Sequence, residues 1–178
     1  MLNGKLVSLR ELEIHDLDLL FLWDEKEDLY LFKGRYRFAS QEDLKNNFTG
    51  YSFSQKIFVI NRDQAPIGLA SYWDEDTRSR TCEIYAKIYD KSVDPHPYLT
   101  ESLSILINFL FNTENLSRIY TCISDPFDEI KQVLGKLGFI KEGALRDHRF
   151  IQGRYVDTVV YGQLKGENGH LKTEKLRR

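Results

Sequence analysis

The 178-residue sequence predicts a mixed α/β fold of the α+β kind. A mostly antiparallel central sheet of about seven strands would be flanked by about four helices. Three observations carry that expectation. Residues 81–89 alternate strictly, with Cys82, Ile84, Ala86 and Ile88 on one side and Glu83, Tyr85, Lys87 and Tyr89 on the other, the period of a strand in a sheet. Leu99, Leu103, Leu106, Ile107 and Leu110 form one stripe at helical spacing. Element types follow in the order strand, two helices, three antiparallel strands, helix, strand, helix, two strands.

Leu6 to Arg10 alternates as a strand. A helix is expected from about Asp16, with Leu17, Leu20 and Phe21 on its apolar face and Asp16 and Asp18 in the first turn, where carboxylates complement the dipole. Gly34 to Phe38 reads as a loop and Ser40 as the N-cap of a second helix. Ile57 to Ile60 and Ile67 to Tyr72 are apolar runs across a turn from Asn61 to Pro66, the signature of a hairpin. Ile119 to Ile123 is a strand. Asp125, Pro126 and Asp128 combine a cap, a first-position proline and a first-turn acid, ahead of a helix that buries Ile130, Val133, Leu134 and Leu137 and stops at Gly138. Phe139 to Phe150 and Tyr155 to Leu164 close the fold as two strands joined near Gln152 and Gly153. Residues 1–165 are expected to form one domain, and 166–178 a polar, basic tail outside it.

Composition narrows the class. A 42% hydrophobic and 29% charged chain is ordinary for a globular protein, and a net charge of −2 argues against broad nucleic-acid binding. The longest apolar runs, such as 103–111, are interrupted and too short to span a membrane. The opening residues carry no secretory signal pattern. Cys82 and Cys122 fall inside strands, which suggests reduced thiols and a cytoplasmic location rather than a disulfide. Residues 11–28 hold eight acids and one lysine; such a lip attracts a cationic amine or is simply a solvated helix face. His15, His96, His148 and His170 lack metal-ligand spacing, so no metal is expected.

Several segments resemble one family. Leu9-Arg10-Glu11-Leu12 with Asp16-Leu17, Trp23-Asp24, Pro66-Ile67-Gly68, Cys82-Glu83-Ile84, Lys136-Leu137-Gly138-Phe139, Glu142 to Arg146 and Gly153 to Asp157 are similar to the GNAT N-acetyltransferases, in the branch of ribosomal-protein and spermidine acetyltransferases. The resemblance covers roughly residues 4–165, and the last three segments in that order are the specific ones. It implies the GNAT fold, acetyl-CoA as donor and a primary amine as acceptor: a protein N-terminus, a polyamine or another small amine. A homodimer is left open.

The same resemblance points to site residues. Glu83 matches the family's fourth-strand carboxylate, a base or amine anchor; the bland reading pairs it with Lys87 or a base on a neighbouring strand. The donor is expected along Lys87, Ile88 and Tyr89 and the loop that follows, at Asp94, His96, Pro97, Tyr98, Leu99 and Thr100. That loop departs from the family. Counting back from Thr100-Glu101-Ser102-Leu103, Asp94 stands in the place of an arginine, and Pro97 and Leu99 in the places of glycines. Pro95 and Pro97 lack amide donors, Asp94 repels phosphates, and Leu99 puts a side chain where the backbone should approach closely. The amides of Tyr98, Leu99 and Thr100 remain as phosphate donors in this reading, or, if the loop is shifted, Lys91 or His96 reaches the phosphates. Leu134 stands where the family often has a tyrosine. The expected function is therefore amine N-acetylation. The alternatives are a weak or inactive GNAT-derived binding module and an acyltransferase whose donor is carried on a protein.

Overall fold

The computed structural model describes residues 1–26, 42, 45, 55–124, 128–151 and 153–167. Among them lie β1 (Leu2–Asn3), β2 (Ser8–Glu11), α1 (Leu17–Lys26), β3 (Gln55–Arg62), β4 (Ala65–Asp76), β5 (Thr81–Ile88), α2 (Pro95–Asn112), β6 (Arg118–Ser124), α3 (Asp128–Lys136), β7 (Ile140–Ile151) and β8 (Arg154–Leu164). The loop expected at Gly34 to Phe38, the helix start at Ser40, the cap at Asp125 and Pro126, Gln152 and the tail beyond 167 fall outside the described residues. The sheet has eight strands in the order β1-β2-β3-β4-β5-β6-β8-β7. The strand beyond the expected seven is the short β1, which pairs antiparallel with β2.

Neighbouring strands are antiparallel except β5 and β6, which run parallel. The β3–β4 hairpin is tighter than the sequence suggests. Its turn is Asp63-Gln64, both at positive φ (48° and 68°), the backbone of a two-residue turn that matches strand twist. Arg62 pairs with Ala65 and Asn61 with Pro66. Pro66 is tolerated inside the strand because β5 joins β4 only from Gly68 onward, so its missing N–H interrupts no rung there. Gly68 itself has to be glycine: a Cβ would sit 2.3 Å from the Lys87 carbonyl oxygen.

Alternation along the strands divides the apolar residues between two faces. On one, Cys82, Ile84 and Ala86 of β5 meet Leu99, Leu103, Leu106, Ile107 and Leu110 of α2 and Ile130, Val133 and Leu134 of α3. On the other, Leu17 and Leu20 of α1 cover Val59 and Leu69, with Trp23, Tyr85 and Tyr89 packed at the edge. Cys82 faces the first core, where burial pushes its thiol up to about 12. Cys122 lies on the opposite face from Ile119 and Ile123 of that core, and the two cysteines remain thiols.

The start of α1 is locked to β2. Both guanidinium nitrogens of Arg10 donate to Asp16 at 2.6 Å, and the Glu13 amide adds a bond of 2.9 Å. Burial alone would raise the Asp16 pKa, but the bonds from Arg10 and Glu13 outweigh it and hold the carboxyl below its usual range. Asp18 pairs with Lys45 at 3.4 Å. Among the described residues, at least three of the eight acids in the expected lip are thus engaged within the fold: Asp16, Asp18 and Glu13, which lies 3.4 Å from the His15 ring.

Candidate functional site

The β5–β6 ladder has three rungs, Thr81↔Arg118, Cys82↔Ile119 and Glu83↔Tyr120. Both strands then run on, to Ile88 and Ser124, so beyond Glu83 they part and open a slot in the middle of the sheet. Glu83 stands at the mouth of that slot. It is only 5% exposed and accepts a hydrogen bond from Trp73 Nε1 at 3.2 Å, its direct cross-strand neighbour on β4. A buried carboxylate needs such a donor.

The other side chains on this face extend the site along β5. Trp73 and Tyr85 lie with ring centroids 6.5 Å apart. The Lys87 ammonium sits 5.1 Å above the Tyr89 ring, which stacks on Trp23 of α1 at 4.8 Å and 6°. Trp73 thus partners Glu83, and Tyr89 lies beneath Lys87. Aromatic faces beside a carboxylate suit an alkylammonium. Trp73 was not legible as part of the site, because its place opposite Glu83 depends on the length of the β4–β5 turn and the irregularity between Trp73 and Asp76.

The loop after β5 departs from expectation in two respects. α2 begins at Pro95, with Asp94 as its N-cap, so the Tyr98, Leu99 and Thr100 amides fall where the i→i−4 ladder of the helix already uses them. Leu99 is also no obstacle in the loop: it is buried in the α2 core at 4% exposure. The Asp94 carboxylate accepts from the His96 amide at 3.1 Å and lies 3.1 Å from the His96 ring Nδ1. The His96 amide thereby holds Asp94 below the usual carboxylate range. Tyr98 packs against the core with the Arg62 guanidinium 5.7 Å above its ring, and Thr100 Oγ1 donates to the His96 carbonyl at 2.6 Å. The Tyr89 amide donates to the Ile67 carbonyl at 2.9 Å, while Ile88 packs on the α2 side.

The expected residues therefore form two groups. Glu83, Lys87 and Tyr89 line the α1 face of β5, and Asp94, His96 and Pro97 build the first turn of α2. Leu134, in the place of the family tyrosine, is fully buried. At the far end of β6, His148 Nδ1 lies 3.0 Å from Thr158 Oγ1, which lies 2.6 Å from Ser124 Oγ. Among the described residues no group of His, Cys, Asp and Glu is placed to hold a metal.

Fitted against acetyl-CoA, the site divides. The slot suits a narrow, amide-bearing pantetheine arm between strand edges. The first turn of α2 does not suit a diphosphate, because a carboxylate already occupies its cap.

Comparison with known proteins follows the same lines. The sequence model described as "Acetyltransferase (GNAT) domain" matches residues 9–160. The chain is 29% identical over 105 residues to YdaF of Bacillus subtilis, which carries the name of a ribosomal N-acetyltransferase; the match spans 59% of this chain and 57% of that protein, little more than half its length. It is 25% identical over 156 residues to spermidine N(1)-acetyltransferase of Escherichia coli K12, spanning 86% and 83% of the two chains. The dodecameric structure of spermidine N-acetyltransferase from Vibrio cholerae superposes with a TM-score of 0.82 at 21% identity, covering 95% of this chain and 98% of that one.

Proposed function

This chain belongs to the GNAT acetyltransferase family, and we propose on that premise that it moves the acetyl group of acetyl-CoA onto the nitrogen of a primary amine. The observation that carries the reading is the placing of Glu83, a buried carboxylate held by Trp73 where β5 and β6 part. An alkylammonium has a pKa near ~10.4 and no free lone pair, so the acceptor must lose a proton before it attacks. Glu83 accepts that proton and anchors the amine. The nitrogen lone pair then forms the C–N bond at the thioester carbon, and a β5 amide donates to the carbonyl oxygen as it gains charge. Collapse of the tetrahedral intermediate breaks the C–S bond and releases the thiolate, while the nitrogen sheds its second proton to leave a neutral amide and a thiol once that thiolate is protonated. With Leu134 in the tyrosine position, the thiolate takes its proton from a source other than that helix position.

The proposed acceptor is a polyamine or another small amine, with a protein N-terminus as the other member of the class. The names of the E. coli and B. subtilis relatives support it, as do the aromatic rings around Glu83. Residues 1–165 would work as one catalytic domain in the cytoplasm, where Cys82 and Cys122 stay reduced. Self-association of copies is part of the proposal. β7 ends the sheet and exposes Ile140, Leu145 and Phe150, and light scattering reads the assembly directly.

Glu83→Gln tests the mechanism. Turnover with a panel of amines should fall at least about ten-fold, with fold and donor binding nearly unchanged; unaltered turnover would reduce Glu83 to a structural role. A second reading, a GNAT-derived binding module without useful activity, draws on the closed first turn of α2. It prevails if no amine is acetylated from acetyl-CoA at millimolar donor.

A further inference from the structure

We propose that this chain holds its acyl donor by the acyl-pantetheine arm alone, the nucleotide diphosphate adding little, so that its donor class is the acyl-pantetheine thioester whatever is attached beyond it. The inference rests on the acyltransferase reading above and extends it to the donor.

Six of the nine positions from Tyr89 to Pro97 offer a diphosphate no amide: four N–H groups are committed to protein acceptors and two positions are prolines. From Tyr89 to Pro97, the Tyr89 and Asp90 amides both donate to the Ile67 carbonyl, at 2.9 and 3.1 Å. The Ser92 amide donates to Asp90 Oδ1 at 2.9 Å, and its hydroxyl joins it at 2.6 Å. The His96 amide donates to Asp94 Oδ1 at 3.1 Å. Positions 95 and 97 are prolines and have no amide. From Tyr98 onward the amides belong to the helix ladder. The concavity that would cradle a diphosphate has its own anion built in, the Asp94 carboxylate.

Side chains around the turn do not restore the attraction. Arg62 lies 3.6 Å from Asp63 and within electrostatic reach of Asp90. Lys136 is within reach of Asp94, and the His96 ring turns back onto Asp94. The loop's own sequence sets one lysine, Lys91, beside two acids, Asp90 and Asp94. Bases and acids balance there, whereas a diphosphate needs a clear excess of positive charge or of amides. The slot between β5 and β6 has no such defect. It begins past Glu83↔Tyr120, the last rung, where both strands run on unpaired with each other to Ile88 and Ser124, a setting for the two amide groups of a pantetheine arm.

The test is calorimetry on the full chain with coenzyme A, pantetheine and adenosine 3′,5′-bisphosphate, beside acetyl transfer from acetyl-CoA and from acetyl-pantetheine. Dissociation constants for coenzyme A and pantetheine should agree within about ten-fold, and the bisphosphate should not displace coenzyme A. A larger preference for coenzyme A, competition by the bisphosphate, or binding of neither thiol at millimolar concentration overturns the inference. Its failure is distinct from that of the function. A chain that acetylates amines but favours acetyl-CoA beyond ten-fold loses only this inference. One that binds both thiols alike yet acetylates nothing keeps the seat and loses the activity.

Discussion

Glu83 and Trp73 show how cross-strand pairing seats a buried carboxylate beside a donor. A carboxylate at 5% exposure is strongly penalised unless donors reach it, and the indole N–H at 3.2 Å is one that cross-strand pairing delivers. Trp73→Phe keeps the ring and removes the N–H. We expect a stability loss of about 1–3 kcal/mol, the ordinary penalty for depriving a buried acceptor of its partner, read by chemical denaturation. We also expect kcat to fall several-fold with little change in KM for the donor, since Trp73 acts through Glu83; equal kinetics with lower stability would make the bond purely structural. Glu83 drew notice in the sequence because Cys82-Glu83-Ile84 resembles the family's fourth strand, while strict alternation from Cys82 to Tyr89 gave only the face it occupies. Trp73 did not, because opposition across two strands depends on turn length and bulges that no local pattern encodes.

At the scale of elements, the α2 stripe and its orientation were readable from Leu99 to Leu110, but its first turn was not. Two prolines two residues apart, at 95 and 97 with His96 between, resemble a break. A helix nevertheless begins there, because the first turn needs no amide hydrogens of its own and proline φ suits it. The sequence presents Asp94 as a charge hostile to phosphate, but its bond to the His96 amide, which makes it the cap, appears only in the structure. Asp94→Ser with Pro97→Gly keeps a capping oxygen, removes the carboxylate and returns one amide. Leu99 must stay, since emptying its buried site would cost about 2–5 kcal/mol. Coenzyme A should bind the double variant more tightly, with a gain that shrinks in high salt, while pantetheine should bind as before. An equal response of both thiols would show that Asp94 is not what keeps phosphate away.

Across the whole molecule, the slot exists because one parallel pair sits in an otherwise antiparallel sheet, with a helix layer on each face to hold its halves. That arrangement depends on α2 staying fixed to the sheet, and one side chain does much of the fixing. Glu101 of α2 accepts the Lys5 amide on Oε1 at 2.8 Å and the Leu6 and Val7 amides on Oε2 at 2.6 and 2.8 Å. Gly4 leaves room for it, since a Cβ there would lie 2.7 Å from the Glu101 carboxyl carbon. The clamp joins the turn between β1 and β2 to a helix nearly a hundred residues later, a long-range contact that nothing in the local sequence announces. Glu101→Ala removes one carboxylate from three amides. Because two of those bonds are exposed and water replaces them, the loss should be about 1.5–3 kcal/mol, the range of a single charged hydrogen bond. If the donor is held in the slot and not at the head of α2, acetyl transfer by the folded variant should stay within about two-fold of the parent, a change in barrier below ~0.5 kcal/mol. A variant that keeps its stability would show the clamp to be idle. One that loses most of its transfer rate while still folded would show that the head of α2 takes part in holding the donor.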